Sequence, residues 1–271
     1  MSARLTYRVH KLFGRVPLIR AIGHWRSDRR FRRWRARNPG ATYADYYAAS
    51  VSRKMRQGKA HYTLGSRGWA PGHGPAVDWD AESFAERGMR LWHQIRAFGL
   101  EPGMRCVDYG CGSLRLGQHA VRYLDPDNYW GIDVVGTFIE HGIKLIGPDL
   151  LREKRPRFGV IDDFVLDEIG RWQPDFIFSN AVLQHVPPDE LGVYFERLAR
   201  MMAPETRAYV LFISASRRQR IKAMNWAYPA DDLVAIMAQA GLNATIGKVD
   251  PGIRLVDGRD REVLEIRRAE A

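Results

Sequence analysis

Two glycines and an aspartate follow one another in the segment from Arg105 to Gly117, and their spacing suits the binding of a nucleotide-like ligand. The run Asp108-Tyr109-Gly110-Cys111-Gly112 ends a short apolar stretch, and a rough helical pattern resumes at Leu114. Glycine accepts a positive φ and has no Cβ, so a ligand can lie against the backbone of Gly110 and Gly112. The N-terminus of the helix that follows would point at the same place.

A second acidic residue, Asp133, ends the run Tyr129-Trp130-Gly131-Ile132-Asp133, which is a second predicted strand. A carboxylate about 20 residues after the glycines can accept hydrogen bonds from both ribose hydroxyls. The third glycine of the dinucleotide pattern is missing, because Arg115 stands there, and there is no phosphate-loop lysine. These residues favour a nucleoside site. The alternative is that the glycines only permit close packing and Asp133 only caps the next helix.

His185 is the residue best suited to proton transfer. It follows a predicted fourth strand, Asp175–Asn180, and therefore lies at the carboxyl edge of the sheet, where open α/β sheets bind ligands. An imidazole whose pKa is near neutral can remove a proton from a hydroxyl group. The alternative is a histidine that caps a helix or is bonded in the core. His61 and His73 are secondary candidates.

Alternating strands and helices are predicted from about residue 80 to the C-terminus. The connection from Pro251-Gly252 to Asp257-Gly258 is too short for a crossover helix, so the last two strands are expected to form a hairpin. The predicted fold class is α/β, with a doubly wound, mostly parallel seven-stranded sheet, a C-terminal β-hairpin and an N-terminal helical extension. The predicted strands lie near residues 105–108, 129–133, 158–161, 175–180, 209–213, 244–249 and 262–266.

This order of elements resembles the class I S-adenosylmethionine (SAM)-dependent methyltransferase family over about residues 80–271. Besides the glycine turn and Asp133, the resemblance is carried by Asp162-Asp163-Phe164 and by the segment from Asn180 to His185. It implies SAM as the cofactor and a Rossmann-like domain. One departure is Leu114, which stands where many members have a third glycine.

The resemblance also assigns expected roles to individual residues. The turn would hold the amino-acid part of SAM, Asp133 the ribose, and Asp162 or Asp163 with Phe164 the adenine; which of the two aspartates faces the adenine is left open. The expected cofactor-binding residues are Asp108, Gly110, Cys111, Gly112, Asp133, Asp162, Asp163, Phe164 and Asn180, with His185 as the catalytic base and no metal.

The acceptor class is narrowed by motifs that the chain lacks. Amino-methylating DNA enzymes carry Asn/Asp-Pro-Pro-aromatic after strand four, where this chain has Ser179-Asn180-Ala181-Val182. The double-glutamate loop of protein arginine methyltransferases is absent. Both cysteines, Cys106 and Cys111, sit at the cofactor turn, so neither is placed as the nucleophile that methylation of a base at C5 requires. The predicted function is O- or N-methylation of a small molecule, sugar, lipid or glycan precursor. The alternatives are an NAD-linked oxidoreductase and a non-catalytic SAM-fold protein that binds RNA or membrane.

Positive charge is concentrated at the N-terminus, since residues 1–60 hold 16 Lys/Arg and only 2 Asp/Glu. Residues 1–75 are expected to form a basic helical extension and residues 76–271 the SAM-binding domain. Residues 4–22 have the pattern of an amphipathic helix with a basic flank, broken near Pro17, and Arg29–Arg37 interleaves basic and aromatic residues. An anionic membrane contacted by residues 1–37 is the favoured macromolecular partner, ahead of nucleic acid. The alternatives are a helix docked on the protein's own core for residues 4–22 and a solvated helix face for Arg29–Arg37. The expected location is cytoplasmic, with peripheral membrane association as an option.

Overall fold

A computed structural model describes residues 17–57, 81–222, 224–249 and 260–269. Two N-terminal helices precede an α/β unit in which helices cover both faces of a seven-stranded sheet. The elements of the first half are α1 (Pro17–Arg35), α2 (Tyr43–Arg56), α3 (Ala81–Ala97), β1 (Cys106–Tyr109), α4 (Gly117–Tyr123), β2 (Tyr129–Asp133), α5 (Gly136–Ile146), α6 (Pro148–Lys154) and β3 (Arg157–Val160). Those of the second half are α7 (Asp163–Trp172), β4 (Phe176–Asn180), α8 (Leu191–Met201), β5 (Arg207–Ile213), β6 (Gln219–Lys222), β7 (Asn225–Ala227), α9 (Ala230–Gln239), β8 (Leu242–Lys248) and β9 (Arg261–Arg268).

The order of strands in the sheet is β3-β2-β1-β4-β5-β9-β8. The first five strands are parallel, whereas β9 runs antiparallel to both β5 and β8. The predicted fold class and the C-terminal antiparallel pair are therefore confirmed. Because β2 and β4 flank β1, the direction of winding reverses at the end of β1, which is the usual place for a ligand in an open sheet.

Burial on both faces explains why the strands read as short apolar runs rather than as alternating patterns. Val107 of β1 points into a core shared with α7, α8 and α9, and its neighbour Cys106 points into a core shared with α3, α4 and α5. Both side chains are fully buried. The strand ends are thereby fixed, and the polar residues that follow them are held at one edge of the sheet.

Three local features differ from the pattern read in the sequence. The helix after the glycine turn begins at Gly117 rather than at Leu114, because Leu114 has a left-handed φ of 59° that a helix cannot contain. Helix α6 and the hairpin of β6 and β7 were not predicted. Helix α6 has 7 residues, β6 has 4 and β7 has 3, and elements this short show no hydrophobic period.

The two N-terminal helices pack against the α/β unit. Helix α2 begins with a capping box between Thr42 and Asp45, and the backbone N–H of Tyr43 donates to Glu190 Oε1 at 2.5 Å. Farther along, Val51 and Met55 are buried against the start of α5. Helix α2 therefore spans the carboxyl edge of the sheet, from the segment after β4 to the segment after β2. The predicted helix over 4–22 is described only from Pro17, and the predicted boundary near residue 75 also lies outside the described residues.

Candidate active site

The glycine turn after β1 is tied to β2 by its backbone. The N–H groups of Gly110 and Cys111 both donate to the carbonyl of Ile132, at 2.7 and 2.9 Å. Gly110 has a φ of 87°, and a Cβ on it would overlap with Val182, which follows β4. Glycine is therefore required there by backbone conformation and by the close approach of a neighbouring side chain. A ligand contact at Gly110 remains a prediction.

Asp133 links the end of β2 to the same turn. Its Oδ2 accepts from the N–H of Gly112 at 2.9 Å, and its Oδ1 accepts from the N–H of Val135 at 2.8 Å. Burial raises the pKa of Asp133 to about 6, although these backbone hydrogen bonds act in the opposite direction. A carboxylate can accept about four hydrogen bonds, so Asp133 can hold the turn and also receive ribose hydroxyls.

Leu114 keeps the backbone of a glycine while carrying a large side chain. Its φ is 59° and its side chain is fully buried. The space comes from Gly142 in α5, where a Cβ would overlap with the Leu114 side chain. A left-handed leucine costs roughly 1–2 kcal/mol, and burial of its side chain offsets that with about 1.5–3 kcal/mol. The packing of the Leu114 side chain therefore offsets the cost of its left-handed backbone.

Asp108 lies beneath the turn rather than on its surface. It is 2% exposed, and its Oδ2 accepts from the hydroxyl of Tyr129 at 2.9 Å. Burial raises the pKa of Asp108 to about 8, with a smaller contribution from the charge of Asp133 in the same direction. The structure shows Asp108 hydrogen-bonded to Tyr129 at the start of β2, and a contact with a cofactor remains a prediction.

The Asp108→Asn variant is expected to have a larger free energy of unfolding than the wild type, and this gain in stability should grow with pH. The folded carboxyl, with its pKa near 8, binds more protons than the unfolded one, whose ordinary value is 3.8. Stability is therefore lost as the pH rises through that window, and asparagine removes the loss. Denaturant unfolding at pH 5.5 and 8.5 should give a gain that is larger by about 1–3 kcal/mol at pH 8.5. Equal gains at both pH values, or the same trend in the exposed variant Asp149→Asn, would contradict this explanation.

At the end of β3, the paired aspartates have different partners. Asp162 is the N-cap of α7 and accepts from the N–H of Val165 at 2.8 Å. Asp163 forms an exposed ion pair with Arg200 of α8 at 2.9 Å. Phe164, which follows them, is 69% exposed. Of the two carboxylates, that of Asp163 is drawn towards α8, and an exposed ring beside them offers a stacking surface.

After β4 the chain turns sharply. Asn180 Oδ1 accepts from the guanidinium of Arg261 at 3.3 Å, so this amide is held by the first residue of β9. Ala181 then adopts a φ of 63°, which is uncommon for a residue with a Cβ and costs of order 1–3 kcal/mol. A 3₁₀ turn at Leu183–His185 follows. Strained residues of this kind persist only where the surrounding structure holds them in place, and they cluster at functional sites.

The hydrogen bonds of His185 define its tautomer. Nδ1 lies 3.1 Å from the carbonyl of Met224, which can only accept, and 3.4 Å from the amide nitrogen of Asn225. The shorter contact, to the carbonyl, assigns the proton to Nδ1. Nε2 lies 3.3 Å from the amide nitrogen of Gln184 and is the acceptor. Burial lowers the pKa of His185. His185 is therefore neutral at pH 7, with Nε2 as its basic atom.

The elements that hold His185 were not found from the sequence. Met224 belongs to the turn between β6 and β7, and the ring of Tyr47 in α2 packs on the imidazole at 5.3 Å between centroids. Trp226 of β7 and Tyr228, which follows it, are both buried in the core. The hydroxyl of Tyr228 donates to the carbonyl of Val186 and thereby supports the His185 turn.

The remaining candidates differ in how much can be said of them. His61 and His73 lie outside the described residues. Burial raises the pKa of both Cys106 and Cys111, so neither thiol is placed to act as a nucleophile. Within the described ranges, no group of three or more His, Cys, Asp or Glu residues could hold a metal ion.

A glycine turn, a strand-terminal acid and a neutral histidine lie at one edge of the doubly wound sheet, where open α/β sheets bind their ligands. The profile of a family described as a methyltransferase domain matches residues 81–244, which is more than half of the chain. The chain belongs to this methyltransferase family. No curated protein matches its sequence.

Solved structures with a similar fold include magnesium protoporphyrin IX methyltransferase (ChlM) from Synechocystis PCC 6803 with bound SAH, at 15% identity and a TM-score of 0.53. The match covers 83% of this chain and 98% of that one. The [4+2]-cyclase SpnF matches with a TM-score of 0.54 and 13% identity over 85% of this chain and 98% of its own. At these identities the likeness shows the fold alone.

The family assignment supplies the activity and the cofactor. The protein is a SAM-dependent methyltransferase, and SAM is its cofactor. The hypothesis of an NAD-linked oxidoreductase is therefore set aside. In the described part of the chain, no helix is both long and apolar enough to span a bilayer.

Proposed function

We propose that this methyltransferase acts on an oxygen or nitrogen atom of a small molecule, sugar, lipid or glycan precursor, and that Nε2 of His185 removes the acceptor's proton. The observation that carries the proposal is the tautomer of His185. Because Met224 holds the proton on Nδ1, the basic lone pair is on Nε2 at the edge of the sheet where the cofactor site is expected.

The residues at this edge fit SAM. The turn containing Gly110, Cys111 and Gly112 would hold the amino-acid part, with Asp108 beneath it and Asn180 across from it. Asp133 would receive the ribose hydroxyls with the lone pairs that the backbone leaves available. Phe164 would cover one face of the adenine, and Asp162 would accept from its amino group through Oδ2, because Oδ1 is used by Val165.

When bound, SAM supplies an electrophilic methyl group on a positively charged sulfur. The protein then needs to align the acceptor atom with that methyl group, which can lower a barrier by up to about 7–11 kcal/mol in well-oriented cases. His185 takes the proton that the acceptor loses, and a hydroxyl group would replace the Gln184 amide at Nε2. Proton removal of this kind contributes typically ~10²–10⁴-fold.

Helix α2 is proposed to close the site. Tyr47 lies on His185 at one end of the edge, and Val51 and Met55 pack beside Val135 and Phe138 at the other. A helix in this position keeps water from the reacting atoms and strengthens the electrostatic interactions between them. Residues 1–75 would then form an extension that completes the SAM-binding domain of residues 76–271.

The experiment that tests the function is the addition of methyl-labelled SAM and the purified protein to fractionated cell extract. Label should enter a small-molecule, sugar, lipid or glycan fraction, and the His185→Asn variant should serve as the matched control with much less incorporation. Label in RNA or protein would contradict the proposed acceptor class. SAM binding without label in any fraction would favour a non-catalytic protein.

A further inference from the structure

Helix α1 has one face packed against the rest of the protein. Ser27 is buried, and the rings of Phe31 and Trp34 pack on Tyr46 of α2 at 5.2 and 5.6 Å. These are the two aromatic residues of the basic segment that could have stacked on nucleic-acid bases. Their inward orientation removes that use, because base stacking needs an accessible ring.

The opposite face of α1 is apolar at its centre and basic around it. Ile22 and Trp25 are 43% and 53% exposed, and the guanidinium of Arg29 lies 5.3 Å from the Trp25 ring. Spacings of three and four place these residues on one stripe of the helix. Arg26 and Arg33 are exposed on the same side. We call Ile22, Trp25, Arg26, Arg29 and Arg33 the outer face of α1.

The sequence of α1 itself offers the outer face no compensating negative charge. Asp28 is the single acidic residue in the sequence of α1, and it pairs with Arg220 of β6 at 2.6 Å, on the side that faces the protein. Large apolar side chains are usually buried. The helix as a whole is not one-sided, because its inward face is apolar as well. On the outer face, two exposed apolar side chains within a cluster of arginines combine the apolar insertion and the headgroup attraction that hold a helix on an anionic lipid surface.

We propose that the outer face of α1 docks on an anionic lipid bilayer. Ile22 and Trp25 would enter the boundary between headgroups and acyl chains, where tryptophan is enriched. Arg26, Arg29 and Arg33 would contact the anionic headgroups, whose attraction falls off within a Debye length. Docking does not depend on the reaction that the protein catalyses. Together with the proposed function, however, docking implies that the acceptor is a lipid or a lipid-linked molecule.

The docking surface is connected to the candidate active site through short contacts. The pair between Asp28 and Arg220 joins α1 to the β6–β7 hairpin, whose turn holds His185 through Met224. Phe31 also contacts Tyr43 of α2 with ring centroids 4.9 Å apart. The membrane-facing helix and the helix that covers the site therefore belong to one packed group, which places the site close to the bilayer.

The test is flotation of the full-length protein with vesicles of phosphatidylcholine alone or mixed with phosphatidylserine. We expect binding to the anionic vesicles at about 0.1 M salt and its loss at about 1 M, where the Debye length falls to about 3 Å. Replacing Arg26, Arg29 and Arg33 by glutamine should weaken vesicle binding about 100-fold, at roughly fivefold for each arginine. Trp25→Ser should weaken it roughly tenfold through the lost apolar contact.

The matched control replaces Arg152, Arg171 and Arg267 by glutamine, which removes the same charge from exposed positions elsewhere. This variant should keep the affinity of the wild type for vesicles. The inference is overturned if the wild type does not bind anionic vesicles, if the triple α1 variant binds as well as its control, or if Trp25→Ser has no effect. Tighter binding to an RNA oligonucleotide than to vesicles would also overturn it. The affinity for SAM, measured on every variant, should not change. Failure of the wild type to bind SAM would refute the proposed function but not the proposed docking.

Discussion

The His185→Asn variant is expected to lower kcat about 100- to 10,000-fold, which is the usual contribution of a positioned general base. Asparagine is chosen because its side-chain amide nitrogen can take the place of Nδ1 and still donate to the carbonyl of Met224. It has no atom at the position of Nε2. The affinity for SAM and the melting temperature should therefore stay close to those of the wild type.

The pH dependence of the same pair of enzymes provides a second measurement. Burial holds the pKa of His185 below its ordinary 6.5, and only the neutral imidazole can accept a proton. With SAM saturating, kcat/KM of the wild type should therefore fall only at a pH below 6.5, and this acid limb should be absent in His185→Asn.

The control for both measurements is His93→Gln, which changes an exposed histidine on α3. Its kcat and its pH profile should match those of the wild type. A structural role for His185 would give a different result. The melting temperature of His185→Asn would then fall while kcat, measured on the folded fraction, stayed within a fewfold of normal.

The parts of the fold that depend on local pattern could be predicted from the sequence. Strands buried on both faces appear as short apolar runs, and the glycines and acids that follow them mark the edge where they end. Asp133 is an example, because a strand that ends in a carboxylate is visible in five consecutive residues. The C-terminal hairpin was also predictable, since its connection is too short for a helix.

The partners of His185 could not be predicted, because they are distant in sequence and partly without a side-chain signal. Met224 acts through its backbone carbonyl, 39 residues from His185. Tyr47 lies far toward the N-terminus and has the spacing of an ordinary apolar helix residue. Leu114 shows the same limit, because its left-handed backbone is tolerated only where Gly142 leaves room. Such pairs become visible only when the chain is folded.

The basic segment Arg29–Arg37 shows a related limit. Interleaved arginines and aromatics are compatible with nucleic-acid binding, lipid binding or a solvated helix, and the choice depends on which way the rings point. Phe31 and Trp34 point inward to Tyr46, whereas Trp25, which lies outside that segment, points outward. Helical spacing relates these residues to one another, but the packing of α2 decides which face is buried.

The fold does not by itself fix the reaction, because a protoporphyrin methyltransferase and a [4+2]-cyclase both share it with this chain. Family membership supplies SAM, and the acceptor chemistry must come from residues at the edge of the sheet. The strained Ala181 turn and the tautomer of His185 are features of this kind. Both lie in the segment that follows β4, at the carboxyl edge of the sheet.

The Asp133→Ala variant is expected to weaken SAM binding between about 10-fold and 100-fold, since hydrogen bonds to a charged group are worth about 1.5–3 kcal/mol. The loss has two sources. The ribose hydroxyls lose their acceptor, and the N–H groups of Gly112 and Val135 lose the carboxylate that fixes the turn. Isothermal titration with SAM provides the measurement, and Asp149→Asn, at a side chain that is 92% exposed, provides the control.

A pH series tests whether SAM binding depends on the ionised carboxylate of Asp133. Burial raises the pKa of Asp133 to about 6, so its carboxylate becomes protonated as the pH falls through that value. A protonated carboxyl accepts ribose hydroxyls less well, and the SAM affinity of the wild type should therefore fall below about pH 6. Asp133→Ala has no such group, and its weaker affinity should lack this transition. If both proteins lost affinity in parallel, or if alanine bound SAM as tightly as the wild type, the ribose would have to be held by another residue, and Asp133 would serve only to anchor the glycine turn.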